Sequence, residues 1–384
     1  MNNYLIFSLM FFNIFLSLPF ILIRVFKRKE SVFLIALFIS VLGFYFRPIG
    51  GDLFRYYNAF NSVDSINFFF LNTRDLYAKF LVSFIYEAGL SKYTLGLISA
   101  FITYYFSLKA FFIELKEKKI KKWYFLFFII FFLHIPVTGY TGVRFYPAVS
   151  VFTYGIILYF NKEKKGFVYL LLSMLIHFSM SIPVFLLIFY IILKRRFTVS
   201  FLKKLALISL VLGLVLNENI ILNITQILNQ VFFGKEFFSL SYIGGEWGVE
   251  YVQKFNTIGY IDFFIQLTLK KLTLVFYLLT LDEKDKRVKY ILLLVILTLV
   301  LQNFKTPFER YFYIVFPLII ISNIKSHILK KQWKVQGFYL IVFLHNIYVQ
   351  IMIIKGYYLE YFYSYSNLLK LNLVNVIIDI FNLF

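Results

Sequence analysis

The stretch that decides the fold is the first apolar run, Tyr4–Ile23 (YLIFSLMFFNIFLSLPFILI), which the basic cluster Arg24–Lys29 (RVFKRK) follows directly. Its 20 uncharged residues match the length that an α-helix needs to cross a bilayer. Only Met1-Asn2-Asn3 precedes the run, so it lacks the basic start of a cleaved signal peptide. We therefore expect a retained membrane helix with its N-terminus outside and its basic end in the cytoplasm.

The same alternation of apolar runs and basic clusters continues along the chain. Of its 384 residues, 61% are hydrophobic and only 15% are charged, against about 45–50% and about 25% in soluble domains. This composition excludes a soluble enzyme, a disordered chain and a nucleic-acid-binding domain. The net charge of +21 is concentrated in short clusters, as the positive-inside rule predicts for cytoplasmic loops. The clusters are Arg24–Lys29, Lys116–Lys122, Lys162–Lys165, Lys194–Lys204, Lys284–Lys289 and Lys325–Lys334.

These runs and clusters predict an all-α, polytopic integral membrane protein with both termini outside. About ten crossings are expected, at residues 4–23, 31–46, 92–113, 123–137, 145–160, 205–222, 263–281, 289–303, 311–324 and 335–354. A further segment at 167–193 begins and ends at cytoplasmic clusters but is too short for two full spans. It predicts two half-length helices that meet near His177–Pro183, for 10–12 membrane helices in all. Irregular backbone at that depth indicates a cavity.

The remaining long segments are expected on the outer face, near residues 47–91, 217–262 and 355–384. Within them, residues 76–90 predict a short interfacial or re-entrant helix, and Leu368–Phe384 predicts an amphipathic helix on the same face. The chain shows no internal repeat, so residues 1–384 are interpreted as a single transmembrane domain.

Arginines near the outer ends of spans are the first candidate site residues. Arg47, Arg144 and Arg310 each adjoin the end of a predicted span, and Arg55 and Arg74 lie in the first outer segment. A guanidinium binds phosphate or carboxylate through a planar fork, so these residues could converge on one anionic ligand. The alternative is that they snorkel to the membrane interface.

The first outer segment also contains a carboxylate. Gly50 and Gly51 permit a tight turn, after which Asp52 is expected to cap a helix whose next turn places Arg55 and Tyr56 on the same face. Asp52 could act as a general base or as a ligand of a sugar hydroxyl, or it could simply cap an interfacial helix.

Two further groups complete the candidates. His177 lies at the tip of the half-length helices, where an ionisable group is a functional candidate by default, although a packed neutral histidine is the alternative. Glu309 and Arg310, followed by Tyr313, begin a late span and form either a ligand site or a local salt bridge. With no cysteine and four scattered histidines, we expect neither a metal site nor a cofactor.

Four residue groups, taken in order, resemble one family. Gly50, Asp52 and Tyr56 match a Gly-x-Asp-x-x-x-Tyr motif that follows an arginine, here Arg47. Further along, the chain resembles the same family in an Arg-x-x-x-Ala motif, a His-x-Ser motif and a late Arg with Tyr. They are Arg144 with Ala148, His177 with Ser179, and Arg310 with Tyr313. The chain thus resembles the EpsG-like, Wzy-type polymerases of bacterial exopolysaccharide, capsule and O-antigen.

This resemblance implies a GT-C-like glycosyltransferase that joins undecaprenyl-diphosphate-linked oligosaccharide repeat units on the outer face of the bacterial plasma membrane. Combining this resemblance with the charges, we hypothesise catalytic roles for Asp52, Arg144 and His177, with His177 competing with Asp52 as the base. Arg47, Arg55, Tyr56, Glu309, Arg310 and Tyr313 would then contact the diphosphate or the sugars. Besides the lipid-linked substrate and the bilayer, a flippase and a chain-length regulator are candidate partners.

Two other functions remain open at this point. A lipid-linked oligosaccharide flippase or transporter would bind the same substrate, although such folds usually contain repeated halves. Another outer-face transferase, such as a ligase that moves the glycan to a different acceptor, would need the same donor chemistry.

Overall fold

All regular structure is helical in the residues that the computed structural model describes. These are 3–26, 31–46, 51–61, 66–67, 76–116, 124–135, 142–216, 223, 226, 257–329, 333–353 and 371–381. The chain divides into two compact units, residues 1–181 with 349–384 and residues 182–348. The predicted all-α class is confirmed, and the single membrane domain stays a prediction.

The helices follow one another in this order: α1 (Asn3–Phe12), α2 (Ile14–Phe26), α3 (Val32–Tyr45), α4 (Gly51–Ala59), α5 (Leu76–Glu87), α6 (Thr94–Lys116), α7 (Tyr124–Phe132), α8 (Phe145–Phe160), α9 (Lys165–Ile176), α10 (Ser181–Leu193), α11 (Val199–Val215), α12 (Thr257–Thr280), α13 (Val288–Val300), α14 (Lys305–Leu329), α15 (Trp333–Ile353) and α16 (Leu373–Phe381). A short 3₁₀ turn, Phe178–Met180, separates α9 from α10. The first unit contains α1–α9 and α16, the second contains α11–α14, and the unit boundaries fall in α10 and α15.

Two of the described helices have the length and apolarity of membrane segments. Within the described residues, Thr94–Leu115 and Ile261–Thr280 are long and apolar enough to cross a bilayer, and seven other apolar helices have 10–17 residues. The predicted spans at 31–46 and 145–160 agree with α3 and α8 to within one residue. The two short helices predicted at 167–193 are also confirmed, since α9 ends at Ile176 and α10 begins at Ser181.

Other helix ends differ from the predicted spans. Helix α11 begins at Val199 rather than 205, because the Thr198 hydroxyl accepts a hydrogen bond from the Phe201 N–H at 3.1 Å and caps the helix. Helix α14 begins at Lys305, well before the predicted 311, and α7 ends at Phe132, before the predicted 137. Lys305, Glu309 and Arg310 thus belong to α14, although they lie outside the apolar run from which its span was predicted.

The predicted single span at 4–23 is wrong, because the helix is interrupted at Asn13. The Asn13 side chain accepts a hydrogen bond from the Phe15 N–H at 2.8 Å and starts a second helix. Arg24 Nε donates to Ser31 Oγ at 3.1 Å, while Tyr4 borders the same cavity as Ser31. Both ends of the segment therefore lie beside the start of α3, whereas one crossing would put them at opposite ends. The N-terminus and Arg24 thus lie at the same end of α3 rather than at opposite ends as predicted, and the side of the membrane that this end faces stays a prediction.

The C-terminal helix α16 belongs to the first unit. Leu371 accepts a hydrogen bond from the Ile14 N–H, and Ile380 accepts one from the Ser91 N–H, both at 2.9 Å. Leu373 and Val376 are buried while Phe381 is exposed. An amphipathic helix within residues 368–384 is confirmed, as is a helix within 76–90, where α5 lies. Their position on the outer face stays a prediction.

A buried ion pair closes the turn between α12 and α13 in the second unit. Arg287 donates to Asp285 through Nε at 2.9 Å and Nη2 at 2.6 Å, and the Ser322 hydroxyl adds a third bond at 3.2 Å. Burial alone would raise the pKa of Asp285, but the Arg287 guanidinium outweighs burial and holds the pKa below its ordinary value. Arg287 thus stabilises this turn from a buried position and is not a solvated residue of the basic cluster Lys284–Lys289.

Close backbone packing between α3 and α6 supports α4. A Cβ atom on Gly43 would lie 2.7 Å from the Gly96 carbonyl oxygen, and one on Gly96 would lie 2.9 Å from the Tyr57 hydroxyl. Tyr57 is buried, and its ring meets Tyr93 edge to face at 5.1 Å. Glycine at both crossing positions lets the two helices approach closely and lets Tyr57 dock α4 beside them.

We predict that Gly96→Ala destabilises the protein by about 1–3 kcal/mol, because the added methyl group would overlap the Gly43 carbonyl oxygen and the Tyr57 hydroxyl. The measurement is the thermal unfolding midpoint of the purified protein in detergent. Gly337→Ala is the matched control, since its Cβ would meet only the edge of the Phe276 ring at 3.1 Å. Equal midpoints for the Gly96 variant and the wild type would contradict this account of the crossing.

Candidate functional site

The first turn of α4 positions three of the candidate side chains. Asp52 is the second residue of the helix rather than its cap, because the helix begins at Gly51. A carboxylate in a first turn is stabilised by the helix dipole. One turn later, Arg55 Nη2 donates to Asp52 Oδ1, and Tyr56 follows on the same face. The predicted alignment of the three residues is observed.

Arg144 comes from a distant part of the chain to the same place. It immediately precedes α8, and its Nη2 lies 3.6 Å from Asp52 Oδ2. Its guanidinium lies 5.7 Å from the centre of the Tyr56 ring, within the range of a cation–π contact. We call Asp52, Arg55, Tyr56 and Arg144 the arginine cluster. Its two guanidinium groups face opposite oxygens of one carboxylate.

The exposed side of the arginine cluster contributes little to stability. The Arg55 side chain is 61% exposed, and exposed ion pairs are worth about 0–1 kcal/mol, so Arg55 can exchange Asp52 for another anion at little cost. The Arg144 side chain is only 21% exposed, and its contact with Asp52, at 3.6 Å, is longer than a good hydrogen bond. Chemically, the arrangement can bind a phosphate or diphosphate through two guanidinium forks.

A ring contact places His177 near the start of α8, which Arg144 precedes. It ends α9 in an extended conformation, and its ring meets that of Phe145, the residue after Arg144, edge to face at 5.8 Å. The helices α8 and α9 pack closely, because Gly166 approaches the backbone of Tyr159 where a Cβ atom would not fit. The first unit thus brings the His-x-Ser turn to the start of α8.

The His-x-Ser spacing fixes the hydrogen on the His177 ring. Nδ1 accepts a hydrogen bond from the Ser179 N–H at 3.1 Å, and the Ser179 hydroxyl lies 2.9 Å from the same nitrogen. A backbone N–H can only donate, so Nδ1 is the acceptor and a neutral His177 carries its hydrogen on Nε2. In this arrangement Nε2 offers a donor, which favours a hydrogen-bonding role over the predicted role as a base.

In the second unit, Glu309 pairs with Lys270 and not with Arg310, the partner considered from sequence. Glu309 Oε1 accepts from Lys270 Nζ at 2.7 Å, and the same ammonium lies 5.3 Å from the centre of the Tyr313 ring. Arg310 is the next residue of α14 and projects about 100° away from Glu309. A local Glu309–Arg310 salt bridge is therefore not what the structure shows.

Lys270 is a candidate that the predicted site does not include, since the sequence favours placing Lys270 and Lys271 at the outer end of a shorter span over placing them in a cavity. It lies in the middle of α12 and its side chain is only 1% exposed. An ionisable residue inside an apolar run was the available signal. The candidates Arg47 and Arg74 lie outside the described residues. Of the others, Asp52, Arg55, Tyr56, Arg144 and His177 belong to the first unit, and Glu309, Arg310 and Tyr313 to the second.

The chain is matched by the family model described as "EpsG family", over residues 30–367. The match covers most of the chain and includes every candidate site residue in both units. No curated protein and no solved structure matches the chain.

We predict that Lys270→Met destabilises the protein by about 3 kcal/mol, the lower end of the range for breaking a buried ion pair. The partly buried carboxylate of Glu309 would lose the ammonium that binds it at 2.7 Å. The double variant Lys270→Met with Glu309→Gln should recover part of the loss, which a double-mutant cycle in detergent would measure.

Lys271→Met is the matched control, since the same substitution at the next position leaves the Lys270–Glu309 bond in place. Equal loss of stability in the Lys270 and Lys271 variants would contradict the assignment.

Proposed function

The chain belongs to the EpsG family, and from this premise we propose that it is a polytopic polymerase of the bacterial plasma membrane. It joins undecaprenyl-diphosphate-linked oligosaccharide repeat units into a polysaccharide on the outer face. Family membership and the apolar helices indicate a membrane protein of polysaccharide biosynthesis. The lipid-linked substrate and the outer-face site are our proposal.

The observation that carries the proposal is the arginine cluster. Two guanidinium groups, from α4 and from the residue before α8, face one carboxylate. A lipid-linked glycosyl donor needs this chemistry, because its diphosphate gains negative charge as it leaves. Arginine forks bind such oxygens in pairs. In this proposal the diphosphate replaces the carboxylate, which the exposure of Arg55 and the 3.6 Å separation of Arg144 from Asp52 would favour.

The proposed reaction forms a glycosidic bond and breaks the bond between the donor glycan and the lipid diphosphate. An acceptor hydroxyl of the next repeat unit attacks the anomeric carbon of the donor glycan, and the bond between that carbon and the diphosphate oxygen breaks. The bonding electrons leave with the lipid diphosphate, whose charge Arg55 and Arg144 stabilise. The acceptor proton passes to a carboxylate, for which Asp52 is the proposed group.

Asp52 has a different role in each state of this scheme. Without substrate, it is the counter-ion of both arginines. When a diphosphate takes over the two guanidinium groups, the carboxylate is released next to the reacting centre. Tyr56, whose ring lies under Arg144, keeps that guanidinium in place during the exchange. The order of binding would then be donor first and acceptor second.

His177 is assigned to the same site as a donor. Its Nε2–H can bind an oxygen of the diphosphate or of a sugar while Ser179 holds Nδ1. The substrate contacts of Arg47, Glu309, Arg310 and Tyr313 stay predictions, as do a flippase and a chain-length regulator as partners. Undecaprenyl diphosphate as the carrier is part of the same proposal.

The experiment is a gene deletion complemented with single variants. We expect the deletion to abolish the ladder of polysaccharide lengths and to accumulate single lipid-linked repeat units on the outer face. Arg144→Ala should behave like the deletion, with a loss of about 10²-fold or more in polymer, because a donor to the leaving group is removed. The measurement is the size profile of the surface glycan.

Lys92→Ala is the matched control in the same unit, since Lys92 bonds to Asn61 at 3.3 Å and lies outside the arginine cluster. It should restore the ladder. Lipid-linked units trapped on the inner face of the deletion strain would instead identify a flippase, and a full ladder from Arg144→Ala would refute the diphosphate assignment.

We further predict that His177→Gln keeps part of the activity and His177→Asn loses it. A glutamine amide nitrogen replaces Nε2 as a donor, whereas an asparagine amide reaches only the position of Nδ1. The ladder from equal amounts of membrane-inserted protein is the readout. If His177 were the base, neither amide could accept the proton and both variants would fail alike.

A further inference from the structure

A cavity in the first unit lies apart from the arginine cluster. It measures about 340 Å³, within the range of about 300–1,000 Å³ that is usual for small-molecule sites. Its walls are the start of α1, the start of α3 and the middle of α6. The lining residues are Asn3, Tyr4, Phe7, Ser31, Val32, Phe33, Leu34, Tyr105 and Lys109.

Among the described residues of this lining, Lys109 is the charged one. It lies inside the apolar segment Thr94–Leu115, where a charge is costly and marks a functional position by default. Its ammonium donates to the Tyr105 hydroxyl at 3.1 Å and lies 5.1 Å and 5.6 Å from the Tyr105 and Tyr154 ring centres. Within the described ranges it forms no ion pair with Asp or Glu.

The rest of the lining fits an apolar chain attached to a small polar head. Tyr4, Phe7 and Phe33 present aromatic surface, and Val32 and Leu34 present aliphatic surface. Ser31, directly before α3, supplies a hydroxyl to the lining, and the Arg24 guanidinium donates to that hydroxyl at 3.1 Å. Positive charge, hydroxyls and apolar walls therefore meet within one cavity.

The basic clusters predict which leaflet the cavity faces. Its α3 wall begins two residues after the cluster Arg24–Lys29, and Lys109 lies two turns before the cluster Lys116–Lys122. Both clusters are expected in the cytoplasm. The inner leaflet carries anionic lipids, and basic pockets between helices on that side bind their head groups.

We propose that this cavity binds the head group of one anionic phospholipid of the inner leaflet, with the phosphate on Lys109, while the acyl chains pass along Phe7 and Phe33 into the bilayer. The phosphate supplies the negative charge that Lys109 needs at membrane depth. The bound lipid thereby holds the broken N-terminal helix pair α1–α2 against α3 and α6. This site is independent of the polymerase reaction.

The test is native mass spectrometry of the full chain released from detergent micelles, with phosphatidylglycerol and phosphatidylcholine of identical acyl chains as probes. We expect one phosphatidylglycerol to be retained in preference to phosphatidylcholine. Lys109→Met should lower that retention about tenfold, which is roughly the effect of losing one charge-assisted hydrogen bond. Lys109→Arg should keep it, because the charge remains.

Lys79→Met is the matched control, since Lys79 lies on α5 and does not line the cavity. Phe33→Trp provides a second variant that fills the cavity without touching the charge, and it should also reduce retention. Equal retention of the two lipids by the wild type would overturn the proposal. So would unchanged phosphatidylglycerol binding in Lys109→Met, or preferential retention of undecaprenyl phosphate over phosphatidylglycerol.

Discussion

Among the described residues, two ion pairs join side chains that are far apart in sequence, and they position groups on which the proposed chemistry depends. In the first unit, Asp52 meets Arg144 and so joins the first turn of α4 to the start of α8. In the second unit, Lys270 meets Glu309 across α12 and α14. A buried charge without a partner costs several kcal/mol, so the Lys270–Glu309 pair constrains the two helices that it joins. The exposed part of the arginine cluster is different, because its bonds are weak enough to be exchanged.

The two pairs therefore suit different roles, one structural and one in the proposed reaction. The Lys270–Glu309 pair has a fully buried cation and a 2.7 Å bond, which suits a fixed structural link next to Tyr313. Asp52 is partly exposed and shared between two arginines, which suits a group that changes partners. The proposed polymerase uses this second property, because a diphosphate must bind, react and leave. The His-x-Ser turn adds a donor whose orientation its own serine fixes.

Sequence reasoning predicts the features that depend on local pattern. Helices α3 and α8 agree with the predicted spans because their apolar runs are uninterrupted. The grouping of Asp52, Arg55 and Tyr56 follows from helix periodicity alone. The break at Asn13 is missed because one polar side chain, by capping the next helix, overrides an apolar run of full membrane length. The bond from Lys270 to Glu309 is missed because nothing local signals a contact between residues so far apart in the chain.

The central claim is that this chain alone joins lipid-linked repeat units at the arginine cluster. The most direct measurement uses purified protein in liposomes, supplied with lipid-linked repeat units extracted from the deletion strain. The account predicts that wild-type protein converts single units into a ladder and releases one lipid diphosphate per linkage, and that Arg144→Ala leaves the units single. Units that stay single with folded wild-type protein, or a ladder made by Arg144→Ala, would contradict it.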